Sequence, residues 1–289
     1  VKQRTKEIRK HITSEYDEVK DRVGYFVKQR TKEIRKHITS EYDEVKDRVG
    51  YLKNKYEGET VYICATGPSF SYYETDFLKS FLKDKLVMSI KQTYNVIGEV
   101  SDFHFINFCN LNNYSDLNED VITSWSVWEQ SQIPIILNNF SKCDLLFDTY
   151  KLGDGTPNLD NTVARTNQFD LLPIDKGISR PWGPGVMYEL CIPLAMWLGC
   201  KEIITIGWDL YGDKVEELKK LDENKGLVHN YFEEHNVEYE QTKTKVNAKE
   251  ILGTINSTGE LKSWLDSHGV DIKVVDPYYD NPTPESIPK

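Results

Sequence analysis

Two hydrophobic periods divide the chain. Up to residue 52 the apolar positions recur at three- and four-residue steps, Ile8, Ile12, Tyr16, Val19, Val23 and Phe26, with Lys, Arg, Glu and Asp between them. Such spacing lays one apolar stripe along a charged helix. Residues 1–25 and 27–51 are identical, so the pattern is a 26-residue unit written twice, closing on Phe26 in one copy and Leu52 in the other. At 3.6 residues per turn a unit makes about 7.2 turns, and the stripe returns slightly rotated. A narrow stripe on a long charged helix has little to bury itself against except another such helix. Residues 1–56 are therefore expected to form a coiled-coil-like arm that self-associates into a homo-oligomer; the alternative is a solvated helix on its own domain. Gly24 and Gly50 weaken the helix at each unit end and permit a hairpin as readily as a rod.

Beyond residue 57 the pattern changes to short β-branched and aromatic runs alternating with helical segments. Strands are expected at 60–65, 86–90, 102–107, 134–137, 201–207 and 271–275. Helices are expected at 73–82, at 186–198 with an interruption at Pro193, and at 246–268, while 140–182 reads as loop-rich. Strand and helix in alternation imply an α/β domain over 57–289: a Rossmann-like, mostly parallel sheet with helices on both faces. Such sheets bind ligands outside the carboxyl ends of their strands. That rule narrows the search to four strand ends, 66–69, 91–92, 107–110 and 207–211, all rich in polar or small residues.

Charge and cysteine usage restrict the classes further. The whole chain carries −10, with +4 on residues 1–52 and −14 on the rest. An acidic body argues against a nucleic-acid groove. No apolar run is long enough for a membrane span, and the charged first residues do not form a secretory core. Cys64, Cys109, Cys143, Cys191 and Cys200 are scattered without a CxxC pair. They read as reduced thiols, which fits a cytoplasmic location and no structural metal.

The candidate chemistry sits at the strand ends. Thr66-Gly67-Pro68-Ser69 offers a close backbone approach at a helix start, where an anion is favoured, although it is neither a Walker loop nor GxGxxG; a plain turn is the bland alternative. Asn107 has donor and acceptor groups suited to a base or ribose edge. Arg180, in the Pro- and Gly-dense stretch running to Gly185, is suited to a phosphate or carboxylate. Trp208, Asp209 and Tyr211 close another strand; an acid and a phenol at a strand's carboxyl end read as site residues, so Asp209 and Tyr211 are catalytic candidates, a structural role being the alternative, and Asp209 belongs to no DxD metal motif. His11 and His37 fall on the charged face of the repeat, His104 inside a strand, and His268 at a helix end. His229 and His235 remain in a polar stretch, either as a general base or as solvated surface residues.

These residues line up with a known family. Val61-Tyr-Ile-Cys-Ala-Thr-Gly-Pro-Ser69, Lys91-Gln92, Phe103–Asn107 and the block from Gly185 to Tyr211 with its Gly-x-Asp-x-Tyr ending resemble the bacterial lipooligosaccharide-type sialyltransferases and related Rossmann-like glycosyltransferases. Thr66 and Lys91 stand where that family has Asn, and Pro184 where it has Ser. The resemblance implies a metal-independent inverting transfer of an acidic sugar from a CMP-activated donor to a glycan hydroxyl, with no cofactor. It implies that Thr66, Gly67, Pro68 and Ser69 face the donor and that Lys91, Gln92 and Asn107 line the same crevice. Gly185 would lie on the cytidine side, Trp208 would belong to the donor site, Tyr211 would sit by the departing phosphate, and His229 or His235 would be the base. A Mg-dependent diphosphokinase or other nucleotide-dependent transferase, or a non-catalytic nucleotide-sugar-binding scaffold, are the alternatives.

Overall fold

A computed structural model of the chain describes residues 49–107, 120–127, 144–150, 162–172, 179–181, 183, 185–209, 226–228 and 245–275. The helical arm up to residue 48 and the strand expected at 134–137 lie outside the described residues.

Eight strands make one sheet: β1 (Thr60–Cys64), β2 (Leu86–Ile90), β3 (Phe103–Asn107), β4 (Ile122–Val127), β5 (Leu145–Tyr150), β6 (Ser179–Pro181), β7 (Glu202–Ile206) and β10 (Asp271–Val274). Their order is β10-β7-β1-β2-β3-β4-β5-β6. Every neighbouring pair is parallel. The expected parallel α/β sheet is therefore present. Two short strands, β8 (Gly226–Val228) and β9 (Lys245–Asn247), form a separate antiparallel pair. The sheet advances from β1 to β6 on one side, then returns to place β7 on the other side of β1. The strand order thus reverses between β1 and β7, the position where parallel sheets open a crevice at their carboxyl ends.

The two faces of the sheet are read from side-chain alternation. Tyr62, Cys64, Val87, Ile204 and Ile206 point to one face. There they pack with Leu78 and Leu82 of α1 (Thr75–Leu82) and Ile97 of α2 (Tyr94–Ile97). Leu78 and Leu82 are fully buried, and removal of each side chain from water contributes about 1.5–3 kcal/mol. Val61, Ile63, Met88 and Ile203 point the other way and are just as buried. On that face lie the segment 186–198 and α5 (Ala248–Ser267), joined by the Tyr188 and Ser257 hydroxyls at 2.8 Å.

Several expectations need correction. The loop-rich stretch 140–182 contains β5, β6 and the short α3 (Val163–Thr166). β4 falls in a stretch for which the pattern predicted no strand; its Thr123, Ser124 and Ser126 look polar in sequence, yet all are buried. The helix expected at 73–82 begins at Thr75, preceded by a 3-10 turn, Pro68–Tyr72. Pro193 does not end the helix: helical backbone runs from a π-helical turn, Met187–Cys191, straight into α4 (Ile192–Trp197), with Pro193, which has no N–H to give, just past that wider turn. His268 ends α5 as expected, with Nδ1 2.8 Å from the Trp264 carbonyl.

Acidic residues clasp the amino edge of the sheet. The Val87 amide donates to the Asp102 carboxylate and the Thr123 amide to that of Asp144, each at 2.8 Å. Glu202 accepts from the Thr60 hydroxyl and pairs with Lys273. Residues 49–58 also pack on this body. The amides of Asn54, Tyr56 and Gly58 donate to the carbonyls of Trp197, Leu198 and Gly199, and the Trp197 indole N–H donates to the Val49 carbonyl at 2.7 Å. Val49 and Leu52, the last apolar positions of the second repeat, are buried.

Candidate site at the carboxyl edge

The four strand ends singled out from sequence belong to β7, β1, β2 and β3, which are consecutive in the sheet. Their chain positions span some 140 residues, and only the crossover back to β7 puts them side by side.

The contact between the first two is direct. After β1, the Gly67 amide donates to the Gly207 carbonyl at 2.8 Å, and the Ser69 amide donates to Asp209 Oδ2 at 2.9 Å. A Cβ on Gly67 would lie 2.4 Å from the Gly207 oxygen and 2.5 Å from Asp209 Oδ2, so only glycine fits. Gly207 has φ +75°, and a Cβ there would lie 2.4 Å from the Ala65 carbonyl oxygen. Both glycines exist for this close approach. Asp209 therefore holds two loops together. The amides expected to cradle a donor anion are already engaged within the protein. The Ser69 hydroxyl is different: it is buried and has no hydrogen-bond partner.

At the end of β2, Thr93 folds back. Its hydroxyl accepts from the Ile90 amide and shares its one proton between the carbonyls of Cys64 and Ile90, all within 3.0 Å. This clamp joins the ends of β1 and β2 and forces Lys91 into the left-handed region, φ +49°. Such a backbone in a non-glycine residue persists only where its surroundings determine it. Gln92 is buried in the same turn, and Lys91 is half-buried.

Trp208 reaches the opposite wall. Its ring meets that of Tyr188 edge-on, with centroids 6.0 Å apart. Gly183 packs against Tyr188 so closely that a Cβ would lie 2.5 Å from the Tyr188 Cβ. Gly185, at φ +96°, opens the π-helical turn that carries Tyr188. The glycine-rich loop thus returns from β6 to Tyr188, which packs against Trp208. Arg180 is placed differently: it pairs with Thr149 on the outermost strand. β6 lies five strands from β1, about 24 Å at the usual strand spacing.

Sequence reading missed Glu189. It is the single charged residue in the apolar run 186–198, is 1% exposed, and accepts a 2.7 Å hydrogen bond from the Ser126 hydroxyl. Ser126 is the register partner of Asn107, so this carboxylate belongs to the carboxyl half of β3 and β4. An acid alone in an apolar run was the available clue. π-helical turns also concentrate at functional sites.

His104 is internal, as its strand position implied. Its Nδ1 lies 3.1 Å from the Ser89 hydroxyl and 3.2 Å from the Ser89 carbonyl. Burial pushes its pKa down to about 3, so the imidazole is neutral. Cys64, Cys191 and Cys200 are buried free thiols, with pKa raised by burial. Buried thiols of this kind are inert. Among the described residues no group of three His, Cys, Asp or Glu could hold a metal, and no helix is long and apolar enough to cross a membrane. Tyr211, His229 and His235 lie outside the described residues, as do Cys109 and Cys143; the side chains of Pro68, Asn107 and Arg180 are likewise not described.

No family model matches the chain, and no curated protein matches it.

Proposed function

We propose that the protein is a metal-independent, inverting glycosyltransferase of the sialyltransferase-like kind, moving an acidic sugar from a CMP-activated donor to a glycan hydroxyl in the cytoplasm. The observation that carries this reading is the juxtaposition of the β1 and β7 ends, where the Ser69 amide meets the Asp209 carboxylate. It brings Thr66–Ser69, Lys91-Gln92 and Trp208-Asp209 to one edge at the strand-order reversal. That edge is where the resemblance requires the donor nucleotide.

In this reading Asp209 shapes the loop rather than reacting. Ser69, Gln92 and Asn107 supply hydrogen bonds to the nucleotide, and Trp208 with the Gly185 turn bounds the base. His229, or His235 in its place, takes the proton of the acceptor hydroxyl as its oxygen attacks the anomeric carbon. The bond from that carbon to the phosphate oxygen breaks, and CMP leaves with the bonding pair. Tyr211 stabilises the departing phosphate by hydrogen bonding. The N-terminal arm assembles copies of the chain into a homo-oligomer.

The test pairs a thermal-shift screen of nucleotides and nucleotide sugars with an assay of CMP release from CMP-sialic acid in EDTA. A ligand that binds only the native state raises the melting temperature. The expected result is a shift with CMP and CMP release that EDTA leaves intact. A requirement for magnesium and a nucleoside triphosphate would make the protein a diphosphokinase instead. CMP binding without turnover on any acceptor would make it a scaffold.

A further inference from the structure

The loop after β1 has few amides left with which to hold a phosphate. Its Gly67 and Ser69 amides are spent on the Gly207 carbonyl and the Asp209 carboxylate. The body as a whole carries −14 over residues 53–289. An anionic ligand at this edge therefore needs a cation from elsewhere.

Lys91 meets the need. β1 and β2 pair as far as Cys64 opposite Ser89, and Lys91 opens the turn that follows β2, beside the loop that follows β1. The Thr93 clamp fixes its backbone in a conformation that lysine does not choose by itself. Among the described residues its ammonium makes no hydrogen bond or ion pair. Arg180 is five strands away from β1. The buried, unpartnered Ser69 hydroxyl lies in that same β1 loop.

We infer that Lys91, with the Ser69 hydroxyl, is the phosphate-binding element of the site and neutralises the nucleotide phosphate in place of the loop amides. This rests on the nucleotide-binding reading above and adds the group that reads its charge. Binding to the phosphate is then charge-assisted and selective for a nucleotide over its nucleoside. In the transfer reaction the same ammonium stabilises the charge that grows on the departing phosphate, a task that metal ions perform in many other transferases.

The experiment measures binding of CMP, cytidine and inorganic pyrophosphate to the full chain by calorimetry, for wild type, Lys91→Asn and Lys91→Arg. Asparagine accepts the left-handed backbone better than lysine, so the fold is not at risk in Lys91→Asn. The expected result is CMP and pyrophosphate affinity lowered about 10- to 100-fold in Lys91→Asn, cytidine affinity unchanged, and partial recovery in Lys91→Arg. Ser69→Ala is expected to lower CMP affinity by a smaller factor. If pyrophosphate binds through Lys91 while CMP and cytidine do not bind at all, the anion site stands and the CMP reading falls. If CMP binds equally well to wild type and Lys91→Asn, or if wild type binds neither CMP nor pyrophosphate, the inference is overturned.

Discussion

The Ser69 amide donates to the Asp209 carboxylate across 2.9 Å, although 140 residues of chain separate the two. That bond, with the neighbouring Gly67 to Gly207 bond at 2.8 Å, closes the loop after β1 onto the loop after β7. It joins two separate turns at the carboxyl edge of the sheet, where the candidate site lies. The same bond removes from service an amide that a ligand would otherwise use.

Gly67→Ala is expected to destabilise the protein by about 1–3 kcal/mol, the usual cost of overpacking a site that cannot relax. Urea unfolding measures it. The new methyl meets the Gly207 carbonyl as well as Asp209. Adding Asp209→Ala should therefore not restore the midpoint. A double variant as stable as wild type would show that the loop yields and that the close approach is not a constraint.

His104 makes a pH-dependent contribution of definite sign. Burial lowers its folded pKa to about 3, below the unfolded value of 6.5. Between those values the unfolded chain binds the extra proton, so stability falls as the medium is acidified and this loss vanishes above pH 6.5. For one such group the loss from pH 6.5 to pH 5 is about 1.6 kcal/mol. Stability curves of wild type and His104→Gln should converge on acidification by about that amount. Parallel curves over this range would mean that His104 is not held neutral.

Truncation distinguishes the arm from the body. Removing residues 1–48 should leave the melting temperature unchanged and reduce the mass seen in light scattering, as expected if the arm drives self-association. Removing residues 1–56 deletes the buried Val49 and Leu52 and the bonds from Asn54 and Tyr56. That should cost about 3 kcal/mol or more, since each buried aliphatic side chain alone is worth about 1.5–3 kcal/mol. Equal stability of the two truncations would place residues 49–56 outside the folded unit, and an unchanged mass would end the self-association reading.

His229→Asn is expected to lower turnover about 10²–10⁴-fold with CMP affinity retained, and to remove the acidic limb of the rate against pH. Asn107→Ala should weaken CMP by about 1–2 kcal/mol, one buried hydrogen bond. Full turnover in His229→Asn together with none in His235→Asn would transfer the role to His235. Full turnover in both would discard a histidine base.

Local pattern was enough for much of the body. Runs such as Leu86–Ile90 and Glu202–Ile206 are rich in apolar and β-branched residues, and they are strands at or within a residue of their expected limits. The four strand ends could be chosen because the rule for parallel sheets is topological and the pattern already implied such a sheet. β4 was hidden because its alternate positions are Ser, not Val; the buried Ser126 hydroxyl is satisfied by Glu189, which no local window contains. Arg180 is a candidate because it adjoins a Gly- and Pro-rich loop, and sequence adjacency does not say that its strand, β6, stands five strands from β1.

What the sequence determined, then, is what depends on near neighbours along the chain: the repeat, the alternation of strand and helix, and the polar residues collected at strand ends. The tertiary structure decided the strand order, and with it which of those ends become neighbours. It decided that Asp209 spends its charge on Ser69, that Lys91 is held in a left-handed turn by Thr93, and that Glu189 is buried against Ser126. Each depends on a contact between residues close in space whose existence follows from how the sheet is threaded, and hydrogen bonds and charges act over a few ångströms whatever the separation in sequence.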